Sequence, residues 1–155
     1  KQLGARIFSS LEKLHLTIKK LDLKIIDSNE YYSLAYKMGI PETGLQNLKD
    51  KIFGLEANFE KLQAIDFKKG CFIGQENTAR MKLKNKVRRK LLPIVSKDEL
   101  KIGDELMFNK SVIGKILIDR PYPFALIKLF DPDFSKFRYE DIEANSSKVK
   151  IINIP

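Results

Sequence analysis

Val112-Ile113-Gly114-Lys115-Ile116-Leu117-Ile118, followed beyond Pro121-Tyr122-Pro123 by Phe124-Ala125-Leu126-Ile127-Lys128-Leu129, decides the fold class of this chain. Both runs are rich in β-branched and aromatic residues, and a pair of prolines separates them, which is the pattern of strands joined by a turn. Working outward, runs of the same kind recur at Leu91-Leu92-Pro93-Ile94-Val95, at Glu105-Leu106-Met107-Phe108 and at Val149-Lys150-Ile151-Ile152-Asn153-Ile154. Turn signals at Ile102-Gly103-Asp104, Asn109-Lys110 and Asp131-Pro132-Asp133 divide them. Five strands in under 70 residues, so divided, predict a small antiparallel β-barrel.

Upstream of Arg89 the period is helical. Residues 3–9 read as a short strand, after which Leu11, Leu14, Ile18 and Leu21 recur at helical spacing with lysines on the other face. Asp27 and Glu30 form an Asp-x-x-Glu capping box, Ile26 and Tyr31 are placed as a hydrophobic staple, and Gly39 and Pro41 supply the stop, so a helix is predicted over 28–38. From 41 to 61, Gly44 and Gly54 interrupt short apolar stretches, as in a segment that wraps another domain. The expected class is α+β: a helical first part over residues 1–86, then the barrel over 87–155, with the boundary near 84–87.

Composition narrows the chemistry. At 155 residues the chain holds one domain or two small ones, and 43% hydrophobic with 32% charged residues describes a globular protein. One Cys and one His exclude an internal disulfide framework and a Cys/His zinc cluster. A Ser-His-Asp hydrolase would have to use His15, which sits in Leu14-His15-Leu16-Thr17-Ile18, a setting that suits a core or helix-flank residue. No apolar run approaches the ~20 residues of a membrane helix, so no membrane partner is expected. The chain opens on Lys1, as a piece of a longer product would, and neither a signal peptide nor a transit pattern follows. Without disulfides or an address, a reducing, cytoplasmic setting is expected.

Charge is concentrated. Residues 61–90 hold ten basic residues against Asp66 and Glu76, which is +8 of the net +9. A stripe of this kind attracts polyanions, whether tRNA, a phosphorylated metabolite or the polyglutamate tail of a folate, and equally describes a solvated lysine-rich face.

Inside the stripe lies Phe67-Lys68-Lys69-Gly70-Cys71-Phe72-Ile73-Gly74-Gln75-Glu76-Asn77-Thr78-Ala79-Arg80. Gly70 and Gly74 permit positive φ and leave the sulfur uncovered. If Gln75 opens a helix, Cys71 lies just before its positive end, where the dipole, Lys68, Lys69 and Arg80 would favour the thiolate that a nucleophile or soft-metal ligand needs. The plain alternative is a small buried hydrophobe. Glu76 suits a loop cap or a bond to Arg80 four residues on.

Lys69-Gly70-Cys71-Phe72-Ile73-Gly74-Gln75-Glu76, with Ala79-Arg80 after it, closely resembles the Lys-Gly-Cys-Tyr-x-Gly-Gln-Glu signature of the YgfZ family of folate-binding, iron-sulfur-related proteins, relatives of the glycine cleavage T protein. Leu55-Glu56-Ala57-Asn58-Phe59 and Ile65-Asp66-Phe67 match the stretch that leads into that signature, Leu3-Gly4-Ala5-Arg6 resembles the family's Leu-Gly-x-Arg, and Gly39-Ile40-Pro41-Glu42 fits as well. The specific part covers residues 55–90. Phe72 replaces the usual tyrosine, Asn85 a glycine and Ala35 an arginine, and Leu45-Gln46 stands where an aspartate is usual. Aminomethyltransferases carry an acidic residue followed by Phe where this chain has Cys71-Phe72, so the cysteine favours YgfZ.

What the resemblance implies is a folate-binding domain with a ferredoxin-like region woven into it and a C-terminal barrel, of which this chain holds the second half. Tetrahydrofolate or a derivative would be the cofactor, in a pocket completed by the upstream half. Glu56, Lys69, Gly70, Gly74, Gln75, Glu76 and Arg80 would be the cofactor-binding residues and Cys71 the reactive one. The implied function is a folate-dependent accessory protein in assembly or maintenance of iron-sulfur enzymes, including tRNA-thiomethylating ones, with those enzymes as partners. The alternatives are aminomethyl transfer to tetrahydrofolate and a tRNA-binding module that uses the stripe at 61–90.

Overall fold

The computed structural model describes residues 7–145, 147–152 and 154. Three helices lead the chain: α1 (Leu11–Lys20), α2 (Ser28–Lys37) and α3 (Glu76–Leu83), with a 3-10 turn at Leu45–Leu48 between the last two. Six strands follow: β1 (Arg89–Ser96), β2 (Glu105–Phe108), β3 (Ser111–Ile118), β4 (Phe124–Lys128), β5 (Ile142–Ala144) and β6 (Ser147–Ile151). They close into an antiparallel barrel in the order β1-β4-β3-β2-β5-β6. The α+β class with a C-terminal barrel is therefore as the sequence predicts. Residues 7–9 form no strand, and the rest of that predicted strand lies outside the described residues.

Closure removes the exposed edges that an open sheet of this size would carry. The interior is filled by Leu92, Ile94, Leu106, Ile113, Ile116, Ile127, Ile142 and Val149, and Phe137 plugs it from the segment before β5. β1 changes neighbour along its length: residues 89–93 pair with β4 and 94–96 with β6. Pro93, which has no N–H to donate, sits at that handover, where a strand tolerates it. Register shifts at Leu106/Met107 and Ile116/Ile118 help bend the sheet round.

A second apolar cluster lies outside the barrel. Leu91, Leu117, Ile118, Phe124 and Leu126 point away from the interior and are covered by Tyr36, Leu48 and Ile52. This explains why β1, β3 and β4 read as nearly continuous apolar runs: both of their faces are packed. The segment at 41–61 does wrap another unit, and that unit is the barrel.

α2 is the helix that docks. Asp27 caps it by accepting from Asn29 N at 2.7 Å, and Gly39 ends it at φ +75. The Tyr36 hydroxyl donates to the Ile94 carbonyl of β1, and its ring meets Phe124 edge-on at 5.6 Å. Burial pushes the Tyr36 phenol far above its usual range, so it stays a donor across the physiological pH span. Tyr36→Phe is expected to cost about 1 kcal/mol in urea unfolding with an unchanged slope, since only the hydrogen bond is lost. α1 behaves differently: it buries none of its residues, and Leu11, Leu16 and Leu21 face outward.

Candidate functional site

Cys71 is carried on an exposed loop immediately before α3. Two left-handed glycines shape that loop, Gly70 at φ +89 and Gly74 at φ +88, with open space where a Cβ would stand in each case. Side chains would fit sterically, so the glycines serve backbone conformation, as their positive φ requires. Gln75 caps α3 without a side-chain bond, and Glu76 instead folds back so that both its carboxylate oxygens accept from Gly74 N, at 2.9 and 3.1 Å. Glu76 thus holds the loop to the helix. Asn85, at φ 47, takes the left-handed conformation just past the helix end.

The cations of the motif have separate occupations. Lys69 Nζ donates to Gln75 Oε1 at 3.0 Å and lies 4.3 Å above the Phe72 ring, bracing the loop from inside. Lys82 pairs with Glu60 and lies 5.8 Å from the Phe67 ring, which ties α3 to the chain before the loop. Lys68 and Arg80 are exposed. The two residues after the cysteine are apolar and open: Phe72 is 65% and Ile73 99% exposed. The thiol donates weakly to the Phe72 carbonyl at 3.6 Å and is otherwise open to a reaction partner.

Glu56 lies elsewhere. The residue is 3% exposed, and its carboxylate accepts from Arg89 Nε at 2.8 Å, from Arg89 Nη2 at 3.2 Å and from Phe53 N at 3.0 Å. The Glu56 carbonyl also accepts from Leu91 N at 2.8 Å. Beside it Asn58, 4% exposed and at φ 65, donates from Nδ2 to the Leu91 carbonyl at 2.9 Å, while its Oδ1 has no partner among the described residues. Together the two clamp residues 53–58 to the start of β1. Three of the four lone-pair directions on the Glu56 carboxylate are taken, and no residue between 62 and 88 lines the cavities of about 450, 220 and 180 Å³. Among the described residues, neither Glu56 nor the Cys71 loop lines any of these three cavities, so none of them is a pterin pocket built on those residues. Lys69, Gly70, Gly74, Gln75, Glu76 and Arg80 do gather with Cys71 in one loop and the start of one helix; Glu56 does not join them.

Arg89 and Asn58 are the residues that sequence reasoning missed. Arg89 counts there as one cation of a stripe, and its signal is its place at the change from helical to alternating period. Along the same stripe Lys90 is half-buried; burial first, then Lys61 and Arg138 nearby, lower its ammonium pKa.

With this geometry in view, the chain can be set beside known proteins. It matches no family model. It is 31% identical over 107 residues to the mitochondrial iron-sulfur cluster assembly factor IBA57 homolog of Pyricularia oryzae, across 69% of this chain and 27% of that protein. The chain is similar to iron-sulfur cluster assembly factors. The homolog of Dictyostelium discoideum is 31% identical over 97 residues, 63% of this chain and 22% of that protein, and the mouse IBA57 is 35% identical over 68 residues, 44% and 19%. The match spans about a quarter or less of each relative's length.

These names agree with the iron-sulfur part of the YgfZ resemblance, and none speaks of folate, one-carbon transfer or tRNA. They also correct the expectation of a cytoplasmic setting, since all three relatives are mitochondrial by name. The physical reason is simple: one cysteine forms no internal disulfide in any compartment, so its count carries no address. Among the described residues no helix is long and apolar enough to cross a membrane.

Proposed function

We propose that this chain is part of a mitochondrial accessory factor for the assembly of iron-sulfur enzymes, and that Cys71 is its working group. The observation that carries the reading is the presentation of the only thiol on an exposed, glycine-shaped loop that Glu76 and Lys69 hold in place. As a thiolate, Cys71 would hold in transit an iron as a soft ligand does, a sulfane sulfur taken from a donor persulfide whose thiolate leaves, or a one-carbon species. Among the described residues no three His, Cys, Asp or Glu side chains converge on a metal, so a cluster carried here would take its remaining ligands from the client protein or a small thiol.

Folate dependence is supported by the resemblance of residues 55–59 and 69–76 to a folate-binding family. Glu56 itself is engaged by Arg89 and Leu91 of β1. The test is complementation: the complete gene, put into cells lacking their own factor, is expected to restore iron-sulfur enzyme activity and leave glycine cleavage untouched. Formation of methylene-tetrahydrofolate from a lipoylated donor would replace this reading with aminomethyl transfer.

A tRNA-binding module is the second reading. It is favoured by Lys84, Lys86 and Arg88, which stay exposed beyond α3 with no carboxylate partner among the described residues. Its mark would be an affinity for tRNA that falls steeply with salt and is lost on neutralising those three. Arg89 is left out of that set because it holds Glu56.

A further inference from the structure

On the outer face of the barrel, β3 and β4 floor a cavity of about 450 Å³ that no residue of the Cys71 loop lines. That is large enough for a cofactor-sized ligand. Its walls are aliphatic, with Ile102, Val112 and Leu126 among them. Four cations reach the cavity from four separate elements: Lys51 from the loop after the 3-10 turn, Arg89 from β1, Lys115 from β3 and Lys128 from β4. One carboxylate, Glu105, faces them.

The cations are not matched by anions of the chain. Arg89 is committed to Glu56, and Lys128 Nζ donates to the Val112 carbonyl at 2.7 Å, which leaves its charge unpaired. Lys115 stands opposite Glu105 in the strand register, yet no ion pair joins them, and Lys51 has no carboxylate partner among the described residues. Three ammonium groups round one hollow repel one another, and a multiply charged anion relieves that repulsion. The free groups are lysines, compact point charges suited to phosphate, while the planar arginine fork that grips a carboxylate is already used. Aliphatic walls suit a flat apolar body.

We propose that this cavity binds a nucleotide-like phosphate ester, its base against the aliphatic wall and its phosphates among Lys51, Lys115 and Lys128, with Glu105 accepting from a sugar hydroxyl. Nothing in this depends on Cys71.

The test is a titration of the protein with ATP, and separately with adenosine and with inorganic triphosphate, followed by backbone amide shifts. ATP is expected to bind at least tenfold more tightly than either half and to shift Gly103, Gly114 and Lys115. Lys51→Glu with Lys115→Glu should weaken ATP at least tenfold, and Ile102→Asn should weaken ATP while leaving triphosphate unchanged; all three substituted residues are exposed. Equal affinity for triphosphate and ATP would reduce the site to a cationic surface and overturn the proposal. So would shifts confined to residues 61–90, or no binding at millimolar ATP.

Discussion

Cys71→Ser in the complete protein is expected to lower the activity of a dependent iron-sulfur enzyme at least tenfold, to the level of the gene deletion, with no change in fold. The two halves of that expectation rest on different observations. Stability is spared because the side chain is exposed and makes one weak contact, and substitutions at such sites stay within about 0.5 kcal/mol. Function is lost because a hydroxyl is a far weaker nucleophile than a thiol towards sulfur and a poor ligand for iron. Cys71→Ala must behave as Cys71→Ser does, while Glu76→Gln, which keeps an acceptor for Gly74 N, should reduce activity only partly. Full activity in either cysteine variant, measured beside an unchanged melting temperature, would return Cys71 to the role of a surface residue.

Arg89→Ala is expected to destabilise the protein by about 3 kcal/mol, near 6 to 12 °C in melting temperature for a chain of this size. Removing the cation strands a carboxylate whose side chain is only 4% exposed, with a single backbone donor, Phe53 N. Glu56→Gln should cost less, roughly 1 to 2 kcal/mol, because the amide still accepts from Phe53 N and the Arg89 side chain, 43% exposed, can turn to water. Adding Glu56→Gln to Arg89→Ala should therefore recover stability, since it removes the stranded charge. If the double variant proved less stable than Arg89→Ala alone in urea unfolding, the pair would not be what holds residues 53–58 to β1. Loosening it should also be felt at the Cys71 loop, because Glu60, just beyond the clamp, holds Lys82 of α3.

Much of the fold was legible where one physical signal dominated. The apolar runs of β1, β3 and β4 announced strands through their β-branched content, and Asp27 with Gly39 marked both ends of α2. β5 was missed because three residues, Ile142-Glu143-Ala144, alternate too briefly to stand out. The loop of Cys71 was readable because Gly-Cys-x-x-Gly makes a local statement about backbone and exposure, and the structure places that loop open to solvent.

Glu56 was not readable in that way. A carboxylate in Leu-Glu-Ala-Asn looks the same in sequence whether it faces a ligand or a guanidinium 33 residues on, and only the packing of residues 53–58 against the start of β1 brings Arg89 within 2.8 Å. The same holds for Lys51, Lys115 and Lys128, scattered in sequence and gathered round one cavity. By itself, then, the sequence determined what is local: strand and helix periods, the caps, the glycine-shaped thiol loop. Tertiary structure decided which charges are spent on one another and which are left to meet a partner, because ion pairing depends on distances of a few ångströms that no spacing along the chain sets.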